Sequence, residues 1–164
     1  MSFEHRLKNP RERIYLPELL KEVANTKEHV QKIAILRAFA AKNAEHSNLI
    51  RDFIQCVYHP DVVMELPEGK PPYTTVYADF NLAPMTLTSA FKRVPYFVKG
   101  HSRFIENKIK REQIFIQTLE SMFRDDSELF LMVRDKKVNS RKYKTVNELL
   151  FREAFPGMLP PKEG

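Results

Sequence analysis

Ser47-Asn48-Leu49-Ile50-Arg51-Asp52-Phe53-Ile54-Gln55-Cys56-Val57-Tyr58 is the stretch that decides the fold class. Its apolar residues, Leu49, Ile50, Phe53, Ile54, Val57 and Tyr58, recur at i, i+1, i+4, i+5, i+8 and i+9. At 3.6 residues per turn this spacing puts all six on one stripe, which is the pattern of an amphipathic helix; a half-buried strand would alternate instead. Ser47 begins the helix. His59-Pro60 ends it, because a residue before proline avoids the helical region.

Upstream, a helix is expected from Pro17 to about Asn25, carrying Leu19, Leu20 and Val23. Thr26 is the candidate cap of a second, running to about Asn43 with Val30, Ile33, Ala34 and Phe39 inward. Residues 1–15 are polar and mixed in charge, and read as an N-terminal arm to a helical domain over 16–161. Downstream, an irregular connection spans about 65–85 around Pro-Glu-Gly-Lys-Pro-Pro, with a short strand or turn left open near Thr74–Tyr77. Thr86 or Thr88 caps a short helix with Phe91 and Val94. A longer helix is expected from Arg103 to Phe123 with the stripe Ile105, Ile109, Ile116, Leu119 and Phe123. Asp126 or Ser127 would cap the next, through Leu129, Phe130 and Val133. Thr145 with Glu148 reads as a capping box for the last, which stops at Phe155-Pro156-Gly157. The expected fold is therefore an all-α, single-domain bundle of about six to eight helices. Leu49, Ile50, Phe53, Ile54, Val57, Ile116, Leu119, Phe123, Val133, Val146 and Leu150 should be buried.

The 164 residues suit one core. Cys56 is the single cysteine, which excludes an intrachain disulfide framework and a cysteine-rich zinc site; inside an apolar helix it reads as buried filler. There is no apolar signal core at the N-terminus and no run of the ~20 apolar residues needed to span a bilayer, so a cytoplasmic setting and no membrane partner are expected. The histidines lack metal-ligand spacing, and four glycines cannot build a phosphate-cradling loop. No cofactor is expected. Asp125-Asp126 falls where a helix begins, so capping is its expected role. Glu112 falls near the centre of the 105–123 stripe. Its helix end projects beyond the core, or it forms a buried ion pair, or, last, it serves catalysis.

The net charge of +6 favours polyanionic partners. Two stretches concentrate it. Residues 134–144 hold Arg134, Lys136, Lys137, Arg141, Lys142 and Lys144 against Asp135 alone; residues 92–112 hold seven cations against Glu106 and Glu112. The first leads towards a helix N-terminus, where free N–H groups and neighbouring cations together suit phosphate. A solvated loop with no partner is the plain alternative.

The C-terminal stretch resembles a known signature. Arg134-Asp135, Thr145-Val146-Asn147 and Ala154-Phe155-Pro156-Gly157-Met158-Leu159-Pro160 are similar to the element that closes the helical N-terminal DNA-binding domain of phage-type ATP-dependent DNA ligases. Upstream, Leu19-Leu20-Lys21-Glu22-Val23-Ala24, Thr26-Lys27, Ile35-Leu36 and Met85-Thr86-Leu87-Thr88 fit the same domain in order, so the resemblance covers about residues 16–161. Two departures stand out. The glycine of the family's turn after Arg-Asp is missing from Lys136-Lys137-Val138-Asn139-Ser140, and about six residues are inserted before the last helix. The adenylation motif Lys-x-Asp-Gly is absent, so no covalent AMP adduct and no ligase activity are expected of this chain. The resemblance implies a phage-encoded, non-catalytic module that holds intact or nicked duplex DNA through backbone and minor groove in replication or repair, with little sequence preference. Lys136, Lys137, Arg141, Lys142 and Lys144 would contact phosphates, helped by Arg103, Lys110 and Arg111. The alternatives are an interaction module that kept the fold and binds a replication or host protein, and the DNA-binding half of a split ligase.

Overall fold

The computed structural model describes residues 15–162, so most of the expected N-terminal arm lies outside the described residues. Seven α-helices run through it: α1 (Leu16–Asn25), α2 (His29–Ala41), α3 (Ala44–Tyr58), α4 (Leu87–Phe91), α5 (Lys108–Glu120), α6 (Arg124–Asp135) and α7 (Glu148–Ala154). Two 3₁₀ turns, Phe80–Leu82 and Val94–Phe97, interrupt the connections. Among the described residues the only β pairing is one antiparallel bridge between Met64 and Val98, so Thr74–Tyr77 holds no strand.

The deciding stretch forms the centre. Helix α3 packs against α2, α4, α6 and α7, and α6 in turn against α1, α4 and α5. Leu49, Ile50, Phe53, Ile54 and Val57 are all buried. Burying each such side chain contributes about 1.5–3 kcal/mol. Rings join the layers: Phe53 meets Phe151 edge-on at 5.8 Å, and Phe115 lies between Phe97 and Phe130 at 5.5 and 5.8 Å.

Three helices begin on an asparagine whose side chain accepts a backbone N–H of the first turn: Asn43 from His46 (2.8 Å), Asn107 from Lys110 (3.0 Å) and Asn147 from Leu150 (3.0 Å). The expected starts at Ser47, Arg103 and Thr145 are each corrected by this one choice. Thr145 itself has φ 65, a left-handed conformation that no capping box uses. Helix α2 has Glu28, not Thr26, before its first turn, and α6 has Phe123 there, with Asp125 and Asp126 inside the first turn.

The helix ends show a second regularity. Helix α7 ends on Arg37, whose Nε and Nη2 donate to the carbonyls of Ala154 (2.8 Å) and Glu153 (3.1 Å). Helix α3 ends on Lys136, whose Nζ donates to the carbonyls of Cys56, His59 and Val62 at 3.3, 2.6 and 2.5 Å. A cation from a distant part of the chain thus meets the carbonyls and the negative dipole end of each helix.

The core departs from expectation in two helices. Val30 is 77 % and Ile109 68 % exposed. Helix α2 buries Lys32, Leu36 and Phe39, and leaves Val30 and Ala34 outside. Helix α5 starts five residues later than expected and buries Phe115, Thr118 and Leu119, while Ile116 and Phe123 are only half-buried. Glu112 is half-buried as well. No helix among the described residues is long and apolar enough to cross a membrane.

Candidate nucleic-acid interface

Helices α5 and α6 form an antiparallel hairpin. The Phe115–Phe130 contact sets its register, and the Arg134 guanidinium lies over the Phe115 ring. The register brings the start of α5, with Lys108 and Lys110, to the end of α6, with Lys136 and Lys137. The turn before α5 adds Lys99 and Arg103, held by backbone bonds from Ile105 to Tyr96 and from His101 to Val98. Lys99, Arg103, Lys108, Lys110 and Lys137 are exposed, and none has an ion-pair partner among the described residues. Five exposed cations without an ion pair among the described residues thus lie on the turn before α5, on the first turn of α5 and at the end of α6.

The other expected contacts fare differently. Lys136 points inward to the carbonyls of Cys56 and His59 at the end of α3 and of Val62 just beyond it, and burial pushes its pKa down. Its ammonium is committed to the fold, which corrects its assignment as a phosphate contact. Lys136 also has φ 56, a left-handed conformation that favours glycine. A lysine tolerates that strain, about 1–2 kcal/mol, because its side chain reaches those carbonyls. Arg111 is likewise committed: it donates to the carbonyls of Glu65 (2.8 Å), Ile105 (2.8 Å) and Glu106 (3.3 Å), and stacks on Phe104.

From Lys137 the chain turns back along α6. Asn139 accepts the backbone N–H groups of Arg141 and Lys142, and Tyr143 is fully buried. Burial first, then the carboxylates of Asp125, Glu128 and Asp126, raise the Tyr143 pKa. Lys142 pairs with Glu128 at 2.8 Å. Seven residues of helix separate Glu128 from Asp135, so the pinned end of the basic loop lies about 10 Å from Lys137 along the axis. Arg141 and Lys144 remain exposed there.

The expected phosphate site at the last helix does not form. Helix α7 starts at Glu148, and its first turn holds that carboxylate, paired with Arg152 at 2.7 Å. Asn147 already takes a free N–H. The Lys32 ammonium reaches the Thr145 hydroxyl.

Around this loop Asp125 accepts the Tyr15 hydroxyl and lies 3.8 Å from Lys21. Burial raises the Asp125 pKa, but the Tyr15 bond and the charges of Lys142, Lys21 and Arg124 outweigh it and hold the carboxyl below its ordinary value. Burial pushes the Cys56 thiol up to about 12, consistent with filler. Among the described residues no group of His, Cys, Asp and Glu is placed to hold a metal ion.

No curated protein and no solved structure matches the chain. One family model does, over residues 19–140, about three quarters of the chain; Phe155-Pro156-Gly157 and the last helix lie beyond it. The chain belongs to DUF6433, a family of unknown function.

Proposed function

We propose that this chain is a non-catalytic duplex-DNA-binding module related to the ligase DNA-binding domain. The observation that supports it best is the cluster of five exposed, unpaired cations at the α5–α6 end. Lysines and arginines held on helix ends and tight turns neutralise phosphates without reading base sequence. Arg103, Lys110 and Lys137 of the expected set belong to this cluster, Lys99 and Lys108 join it, and Arg141 and Lys144 form a second contact further along α6. Kinship with the ligases, phage origin and a split-ligase assembly rest on the sequence signature; the cytoplasmic setting rests on the N-terminal sequence, which has no apolar signal core, and on the lack of a bilayer-length apolar run.

The test is a fluorescence-anisotropy titration of intact and nicked duplex at several salt concentrations. The Arg103→Ala, Lys108→Ala, Lys110→Ala, Lys137→Ala variant should bind more weakly on every sequence. Its log K against log salt slope should flatten by about 0.9 for each phosphate contact removed. Unchanged binding, or no binding by the parent, overturns the proposal.

One observation favours the protein-binding alternative. The outer face of α2 exposes Val30, Ala34, Ala38 and Ala41, an apolar strip on a helix that is apolar on its inner face too. A parent that ignores DNA would shift weight to that face.

A further inference from the structure

Beside the cation cluster lies a cleft of about 260 Å³ between the 66–72 loop and α5. Its walls are Leu66, the three loop prolines and Ile116, over the edge of Phe115. It falls just under the ~300–1,000 Å³ of drug-sized sites, so one flat ring suits it better than a larger ligand. Two of its polar groups are occupied. Arg134 donates to the Pro67 carbonyl (3.2 Å) and to Asp135 (2.9 Å), and Lys70 lies over the Tyr73 ring. Two carboxylates, Glu68 and Glu112, have no hydrogen-bond or ion-pair partner among the described residues; Glu68 is exposed, and Glu112 is the one half-buried at the cleft. A carboxylate is acceptor-only, so it asks for N–H donors. Lys108 sits one turn before Glu112 on the same helix and is exposed, so cationic charge flanks the mouth.

We infer that this cleft takes a single unstacked guanine of the bound DNA, an inference that rests on the DNA-binding proposal. The apolar walls cover the ring, and Lys108 meets a flanking phosphate. Guanine alone among the four bases presents two adjacent N–H donors, the ring imino and the exocyclic amino group, to match one carboxylate. Adenine and cytosine set an acceptor beside their amino group, and thymine flanks its imino group with two carbonyls.

The experiment measures affinity for a fully paired duplex and for duplexes with one bulged guanine or one bulged thymine. The parent should prefer the guanine bulge by about tenfold over both, the scale of one good bidentate base contact. Glu112→Gln should bind the paired duplex as the parent does and lose the preference. Equal binding of all three by the parent overturns the guanine site and leaves the DNA proposal standing. A preference that survives in Glu112→Gln overturns it too. Binding to none overturns both.

Discussion

The two basic stretches carry the same net charge and do different work. In residues 92–112 only two of seven cations are tied into the fold. Arg93 donates to the Thr118 hydroxyl at 2.9 Å and Arg111 to three carbonyls; the other five are exposed. In residues 134–144 half are tied: Arg134 to Asp135 and Pro67, Lys136 to the end of α3, and Lys142 to Glu128. The difference is one of surroundings. The first stretch lies mostly in an outer turn with few acceptors near it, whereas the second runs beside the orphan carbonyls of α3 and the carboxylates of α6. Net charge in a sequence counts cations, and only those without a nearer acceptor remain for a partner.

The sharpest way to break this contrast is Lys136→Ala. It leaves three carbonyls without their cation, so unfolding in urea should show a loss of about 3 kcal/mol. The folded variant should still bind duplex as the parent does. Normal stability with weakened DNA binding would return Lys136 to the interface. Next in size is Arg111→Ala. The loss of bonds to Glu65, Ile105 and Glu106 should cost about 2 kcal/mol and loosen the turn that holds Arg103. Hydrogen exchange at residues 101–107 would rise if this turn depends on Arg111, and no change there would contradict it.

A third comparison uses pH. The Asp125 carboxyl titrates below its ordinary 3.8 in the folded chain. A depressed folded value means stability that is present above the unfolded value and lost as pH falls through the folded one. Asp125→Asn should therefore cost about 1 kcal/mol near pH 7, and its gap from the parent should close as pH falls through the depressed folded value. A gap that persists in acid would show that packing, not charge, is responsible. The smallest effect is expected of Lys108→Ala. Thermal stability should move by no more than about 0.5 kcal/mol, while the salt slope of duplex binding falls by about 0.9.

The contrast also marks how far the sequence was legible. The stripe from Leu49 to Val57 was readable because its polar residues all fall on the opposite face. Val30 was not, because α2 has apolar residues on both sides and periodicity cannot choose between two apolar faces. The choice fell to Leu36 and Phe39, with Lys32 buried beside them, a residue that binary patterning puts in water. Phe115 was missed because Ile105 and Ile109 anchored the stripe on the wrong side of the wheel; Ile105 lies before the helix and Ile109 is exposed, so the packed face is that of Phe115, Thr118 and Leu119. Lys110 falls opposite that face on the wheel and is exposed, whereas Arg103 is exposed in a turn that the wheel does not describe. The fate of Lys136 was not, since its acceptors lie 74 to 80 residues away in the chain.

That separation has a kinetic consequence. The Lys136 tie closes a loop of more than seventy residues that contains α4, α5 and α6. Bringing such ends together in an open chain costs about 4 kcal/mol of loop entropy, so three hydrogen bonds cannot nucleate it. The tie forms only after α6 has docked on α3, late in the descent to the native state. Interactions absent from the rate-limiting ensemble act on the way out. Lys136→Ala should thus leave the refolding limb of a chevron nearly where it is and steepen the escape from the native basin, so the lysine works as a brake on unfolding.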